Sequence, residues 1–130
     1  MSVEVAVYHF AQGIPGFEEI REFQFIEVGN ELPMMLMKAV EDKAISLLVA
    51  SPFIFYPEYE WELTESIKDE LEIVREEDIE VWTVLTVPED PTKATVNLLA
   101  PIVLNINKKK GKQIILNDRS FSTRAPLNRN

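Results

Sequence analysis

The chain's single histidine, His9, falls in a run from Val3 to Phe10 where Val3, Val5 and Val7 alternate with Glu4, Ala6 and Tyr8. Hydrolysis needs a nucleophile beside a base, and a third group to orient that base. No serine motif surrounds His9, which is therefore expected to be a rim or hydrogen-bonded structural residue. The absence of cysteine removes disulfides, thiolate metal sites and thiol nucleophiles together. The carboxylates follow neither EF-hand nor His-carboxylate spacing, so neither zinc nor calcium is supported. Gly13-Ile14-Pro15-Gly16 offers glycines for a phosphate cradle, yet Pro15 removes a donor and no lysine follows Gly16. Pro15 and Gly16 suit the centre of a type II turn instead, with Phe17 anchoring it to the core. No catalytic residue, metal or cofactor is expected.

Charge is the more informative chemistry. The net charge of −9 is unevenly divided: residues 1–107 hold 21 acidic and 6 basic side chains, residues 108–130 hold 1 and 7. Within Glu58 to Glu80, 11 acidic residues face only Lys68 and Arg75. Glu58-Tyr59-Glu60-Trp61-Glu62-Leu63 alternates strictly, so a strand would set Tyr59, Trp61 and Leu63 on one face and the glutamates Glu58, Glu60 and Glu62 on the other. Two roles fit that stripe: edge protection and solubility, or steering of a basic partner, which speeds encounter more than it deepens affinity. Lys108-Lys109-Lys110-Gly111-Lys112 offers phosphate contacts, but no aromatic RNA-binding motif adjoins it and the rest of the chain repels phosphate. It reads as a solvated hairpin turn, and direct nucleic-acid contact is not expected.

These residues need a scaffold. Dense punctuation and short apolar runs point to a mainly β domain over residues 1–130, a small, partly open antiparallel β-barrel with one short helix. Strands are expected at Val3–Phe10, 23–28, 34–39, 44–50 and 80–87, the third and fourth joined by Glu41-Asp42-Lys43. Thr64 or Ser66 would cap the helix, with Ile67, Leu71 and Val74 on one side. Ile102–Ile106 and 113–116 would form a hairpin around the lysines with glycine at its turn. Asn97 and Asn105 sit inside the otherwise apolar run from Thr95 to Asn105. A buried amide without a partner costs about 1–3 kcal/mol, so both are expected to hydrogen-bond backbone where the chain changes course. Pro101 places the start of a strand at Ile102. No run approaches the ~20 apolar residues of a membrane span, and Met1–Phe10 lacks the basic start of a signal peptide. A cytoplasmic protein without membrane contact is expected.

Thr95-Val96-Asn97-Leu98-Leu99-Ala100-Pro101-Ile102-Val103-Leu104-Asn105 resembles the signature of the flagellar assembly factor FliW family. Gly13-Ile14-Pro15-Gly16-Phe17-Glu18-Glu19, then Ser51-Pro52-Phe53 with Tyr59, and finally Phe121-Ser122-Thr123-Arg124 agree with it in order. Met37-Lys38-Ala39 stands where many members read Leu-Gln-Ser. The resemblance implies a compact β-barrel-like fold and a non-enzymatic regulator. Its implied partners are flagellin and the translational repressor CsrA, bound in mutually exclusive states. Glu58, Glu60, Glu62 and Lys38 are the candidate partner contacts. The alternative is a small-ligand-binding or enzymatic β-barrel domain using the barrel mouth.

Overall fold

The computed structural model describes residues 5–29, 33–42, 44–118 and 120–127. Val3, Glu4 and Lys43, named above, lie outside them. Four strands, β1 (Val5–His9), β2 (Glu22–Glu27), β3 (Met34–Ala39) and β4 (Ser46–Ala50), run as an antiparallel meander. Their register places Phe23 opposite Ala39 and Phe25 opposite Met37, so inward side chains meet pairwise. Two short helices follow, α1 (Pro52–Phe55) and α2 (Glu65–Glu70). The chain then forms β5 (Ile79–Thr86), β6 (Thr95–Val96), β7 (Ile102–Asn105), β8 (Lys110–Gln113) and β9 (Ala125–Pro126).

The sheet order β4-β3-β2-β1-β8-β7-β5, with β4 also paired to β5, closes a ring of seven strands; β6 and β9 extend it beside β5. The mainly β barrel expected from the sequence is therefore present. Its thinnest seam is a single parallel bridge, His9 to Lys110. There the His9 N–H donates to the Lys109 carbonyl at 2.9 Å, and the exposed imidazole lies on the barrel rim.

Phe10, Phe23, Phe25, Met37, Val49, Ile102 and Leu104 fill the interior. Phe10 and Phe23 meet edge to face at 5.4 Å, the arrangement their ring quadrupoles favour. A second cluster gathers Tyr59, Leu85, Val96, Leu98 and Ala125 under β6 and β9. The predicted turn at the N-terminus forms as well. Phe17 donates its N–H to the Ile14 carbonyl at 2.8 Å, and Gly16 adopts φ 90°, which requires its missing Cβ. Ile14 is buried and Phe17 packs half-buried on the core.

Four local expectations are corrected. Glu58–Leu63 pairs with no strand of the sheet among the described residues, although exposure still alternates along it. Among the described residues there are two short α-helices rather than one, because Pro52 fixes φ at the first turn of α1 just after β4 ends. Val74 is 87 % exposed and does not continue the apolar side of α2; Glu72, at φ 55°, turns the chain away after buried Leu71. The lysine hairpin exists, but Gly111 lies within β8, which ends at Gln113, and Lys109 takes the left-handed φ of 57° instead.

Packing explains the glycine. A Cβ on Gly111 would stand 2.5 Å from Phe10 Cζ and 2.8 Å from Leu104 Cδ2. Gly111→Ala is thus expected to destabilise the protein by about 1–3 kcal/mol through overpacking. Urea denaturation checks this, and an unchanged midpoint would contradict the contact.

Candidate functional site

The acidic segment is anchored at one end by Tyr59. Its buried hydroxyl donates to the Leu98 carbonyl at 2.6 Å, and its ring meets Phe121 edge to face at 5.1 Å. Burial pushes the phenol well above its ordinary range, opposed by a hydrogen bond with Trp61. Beyond Tyr59, Glu60 and Glu62 are exposed while Trp61 and Leu63 are half-buried. Thr64, one of the two caps expected, accepts the Ile67 N–H on Oγ1 at 3.2 Å and starts α2.

The far end of α2 is fixed more firmly. Ile73 donates to the Lys68 carbonyl at 2.8 Å and Glu72 to Asp69 at 3.1 Å, the paired bonds of a Schellman cap with Glu72 left-handed. Asn105 Nδ2 then donates to the Leu71 and Glu72 carbonyls at 2.8 and 3.1 Å. Its Oδ1 accepts from Asn107 and Lys108 at 3.0 and 3.1 Å. One buried amide thus satisfies a helix end and a hairpin turn together. Asn97, half-buried, works more locally: its Oδ1 accepts from Leu99 and Ala100 at 3.1 and 3.0 Å. Both asparagines hold backbone at changes of direction, as the sequence implied.

The lysine hairpin folds back on the acidic run. Lys110 pairs with Glu72, and Lys112 reaches Glu70 at 2.9 Å and Gln12 at 2.9 Å. The Lys110 hydrogen bond, followed by its charge, lowers the Glu72 carboxyl below its ordinary value. Lys109 lies 5.2 Å above the Tyr8 ring. These pairings span 38 and 42 residues of sequence, a distance at which no local pattern announces a contact.

Grooves run along both sides of Glu60–Leu63. The larger, about 660 Å³, is floored by Phe53, Trp61, Leu63, Ile79 and Val81 and rimmed by Glu60, Glu62, Glu65 and Glu76. The smaller, about 280 Å³, lies toward Ile114–Asp118 and Phe121. Of the candidate contacts, Glu60 and Glu62 line both grooves and Glu58 is exposed just before them. Lys38 stands apart on β3, opposite Gln24 and Ser46, and lines neither. Phe53 of α1, named above only within Ser51-Pro52-Phe53, lines the larger groove at 44 % exposure, and its neighbour Ile54, not singled out from the sequence, is 63 % exposed. A four-residue helix is too short to show periodicity, so Pro52 was its only signal.

Among the described residues no group of His, Asp or Glu side chains is placed to hold a metal ion. No helix among them is long and apolar enough to cross a membrane.

Residues 2–127 match the family described as FliW protein. The chain belongs to the FliW family. The flagellar assembly factor FliW of Bacillus subtilis is 38 % identical over 124 residues, covering 95 % of this chain and 87 % of that protein. Its counterpart in Thermosipho africanus is 41 % identical over 125 residues, covering 95 % and 86 %. A crystal structure of the flagellar assembly factor FliW superposes with a TM-score of 0.90 at 34 % identity, covering 95 % of this chain and 86 % of that one.

The FliW-like motifs read earlier have structural work to do. Pro52 opens α1, Phe53 and Phe121 pack on Tyr59, and Leu98 donates its N–H to the Ser122 carbonyl at 2.9 Å. Three of the four stretches thereby meet around the base of the acidic segment.

Proposed function

We propose that this chain is a non-enzymatic, cytoplasmic regulator of flagellar assembly that acts as a single FliW-like domain over residues 1–130. It binds flagellin, and once released from it binds CsrA and lifts repression of flagellin synthesis. While unexported flagellin is abundant it occupies the regulator and CsrA remains free to repress; export reverses both states.

The observation supporting this reading is the acidic Glu58–Glu62 segment, held by Tyr59 and the cap of α2, and exposing Glu60 and Glu62 beside apolar grooves in a FliW relative. Such a surface suits a basic, partly apolar protein. Direct RNA binding by the lysine hairpin is less favoured, since Lys110 and Lys112 already face Glu72 and Glu70. Competition tests the switch: purified flagellin added to a preformed complex with CsrA is expected to release CsrA, and coexistence of both partners on one regulator would refute it.

Sensing of unexported flagellin further requires a binding site near the end of the flagellin chain that is buried in the filament. Sedimentation with monomeric and polymerised flagellin is expected to show binding to the monomer alone. Equal binding to both forms would contradict the mechanism.

A further inference from the structure

Two backbone edges border the larger groove without strand partners among the described residues. Along Glu60–Leu63 no backbone N–H or C=O is hydrogen-bonded to any described residue. The segment nevertheless contains no turn or bend. Across the groove, β5 pairs with β7 over Ile79–Trp82 but with β4 only over Thr83–Leu85.

The direction of the free groups on β5 follows from the ladder. Ile106 donates to the Asp78 carbonyl at 2.8 Å. Antiparallel alternation then turns the backbone of Glu80 and Trp82 toward β7 and that of Val81 away from it. Continuing the register beyond Ala50 and Thr83 brings Pro52 opposite Val81. The chain there has become α1, and proline has no N–H to give. The groove is therefore walled by extended backbone with unused hydrogen-bonding capacity.

We propose that this groove receives an extended segment of a partner protein in which aliphatic and basic side chains alternate, added as an extra strand against these edges. The proposal rests on reading the chain as a protein-binding module. A strand directs successive side chains to opposite faces. One set then packs on Phe53, Trp61 and Val81, and the other meets Glu60, Glu62 and Glu76. Lys68 also reaches the groove but lies 3.6 Å from Glu65, which leaves the rim acidic. A helix would satisfy the apolar floor, yet its backbone bonds are already used internally and cannot serve the two edges.

The probe is a blocked seven-residue peptide of alternating valine and lysine, titrated against the full chain. Amide exchange at Val81 and at alternate residues of Glu60–Leu63 is expected to slow by about tenfold or more on saturation. N-methylating every second peptide nitrogen on the pairing edge is expected to weaken binding by about tenfold or more, since it deletes donors without removing side chains. Replacing the lysines by glutamate should do the same, as should Glu60→Lys with Glu62→Lys. Equal affinity of the N-methylated peptide, protection elsewhere on the barrel, or no binding at about millimolar peptide would overturn the proposal. Binding of flagellin and CsrA by a chain that ignores the peptide would sink the strand site and leave the regulatory reading standing. Peptide binding with neither partner bound would do the reverse.

Discussion

Asn105→Ala is expected to lower the unfolding free energy by about 3 kcal/mol, near the upper end for loss of one polar side chain. The residue is 1 % exposed and makes four backbone bonds, two as donor to the end of α2 and two as acceptor from the hairpin turn. Truncation strands all four groups. Asn107, Lys108 and Glu72 lie at the surface and regain water, whereas Leu71 is buried and its carbonyl does not. The cost therefore falls short of four full desolvation penalties. Asn97→Ala serves as the internal comparison: it loses two acceptor bonds at a half-buried site, for an expected cost of about 1 kcal/mol. Urea denaturation of both variants measures the difference. Unchanged midpoints with loss of partner binding would move the asparagines from the framework to an interface.

Asn105 also shows why the sequence was readable in part. A polar amide amid Val103 and Leu104 announces a buried, satisfied group, because the alternative is too costly. What it cannot announce is its partner, here a helix end 34 residues earlier. Alternation marks β1, because burial on one face imposes a period of two, while β2 to β4 show as short apolar runs between turn residues and β5 as a stretch rich in β-branched and aromatic residues. The same period misled at Glu58–Leu63. Tyr59, Trp61 and Leu63 do face the protein, but side-chain alternation reports burial and is silent on whether the backbone finds a neighbour. Gly111 departs from its expected place at the turn for a related reason. A glycine serves a turn or a close approach equally well, and only the position of Phe10 decides between them. The candidate glutamates were legible from composition; the grooves beside them depend on where β4 ends and α1 begins.

Replacing Glu58, Glu60 and Glu62 together by lysine is expected to slow association with CsrA by about tenfold or more at low ionic strength. The segment lies in a run of 11 acidic and 2 basic residues from Glu58 to Glu80, so its field adds to that of its neighbours. Part of that run is neutralised internally, Glu65 by Lys68, Glu70 by Lys112, Glu72 by Lys110 and Asp78 by Arg75, which concentrates the remaining negative potential toward Glu60, Glu62 and Glu76. Exposed charges act over a Debye length of about 8 Å at physiological salt. The wild-type rate should therefore fall steeply with added salt, while that of the triple variant should be nearly flat, the two converging at high ionic strength. Dissociation should change less than association, as expected for charges that steer an encounter. Flagellin binding should suffer less than CsrA binding if its contacts draw more on the apolar floor of Phe53, Trp61 and Val81. Folding is expected to hold, because exposed substitutions of this kind usually shift stability by only about 0.5 kcal/mol each, and thermal melts provide that control. Identical association rates and salt slopes for the two proteins would return the acidic segment to the plain role of a solvated, exposed edge.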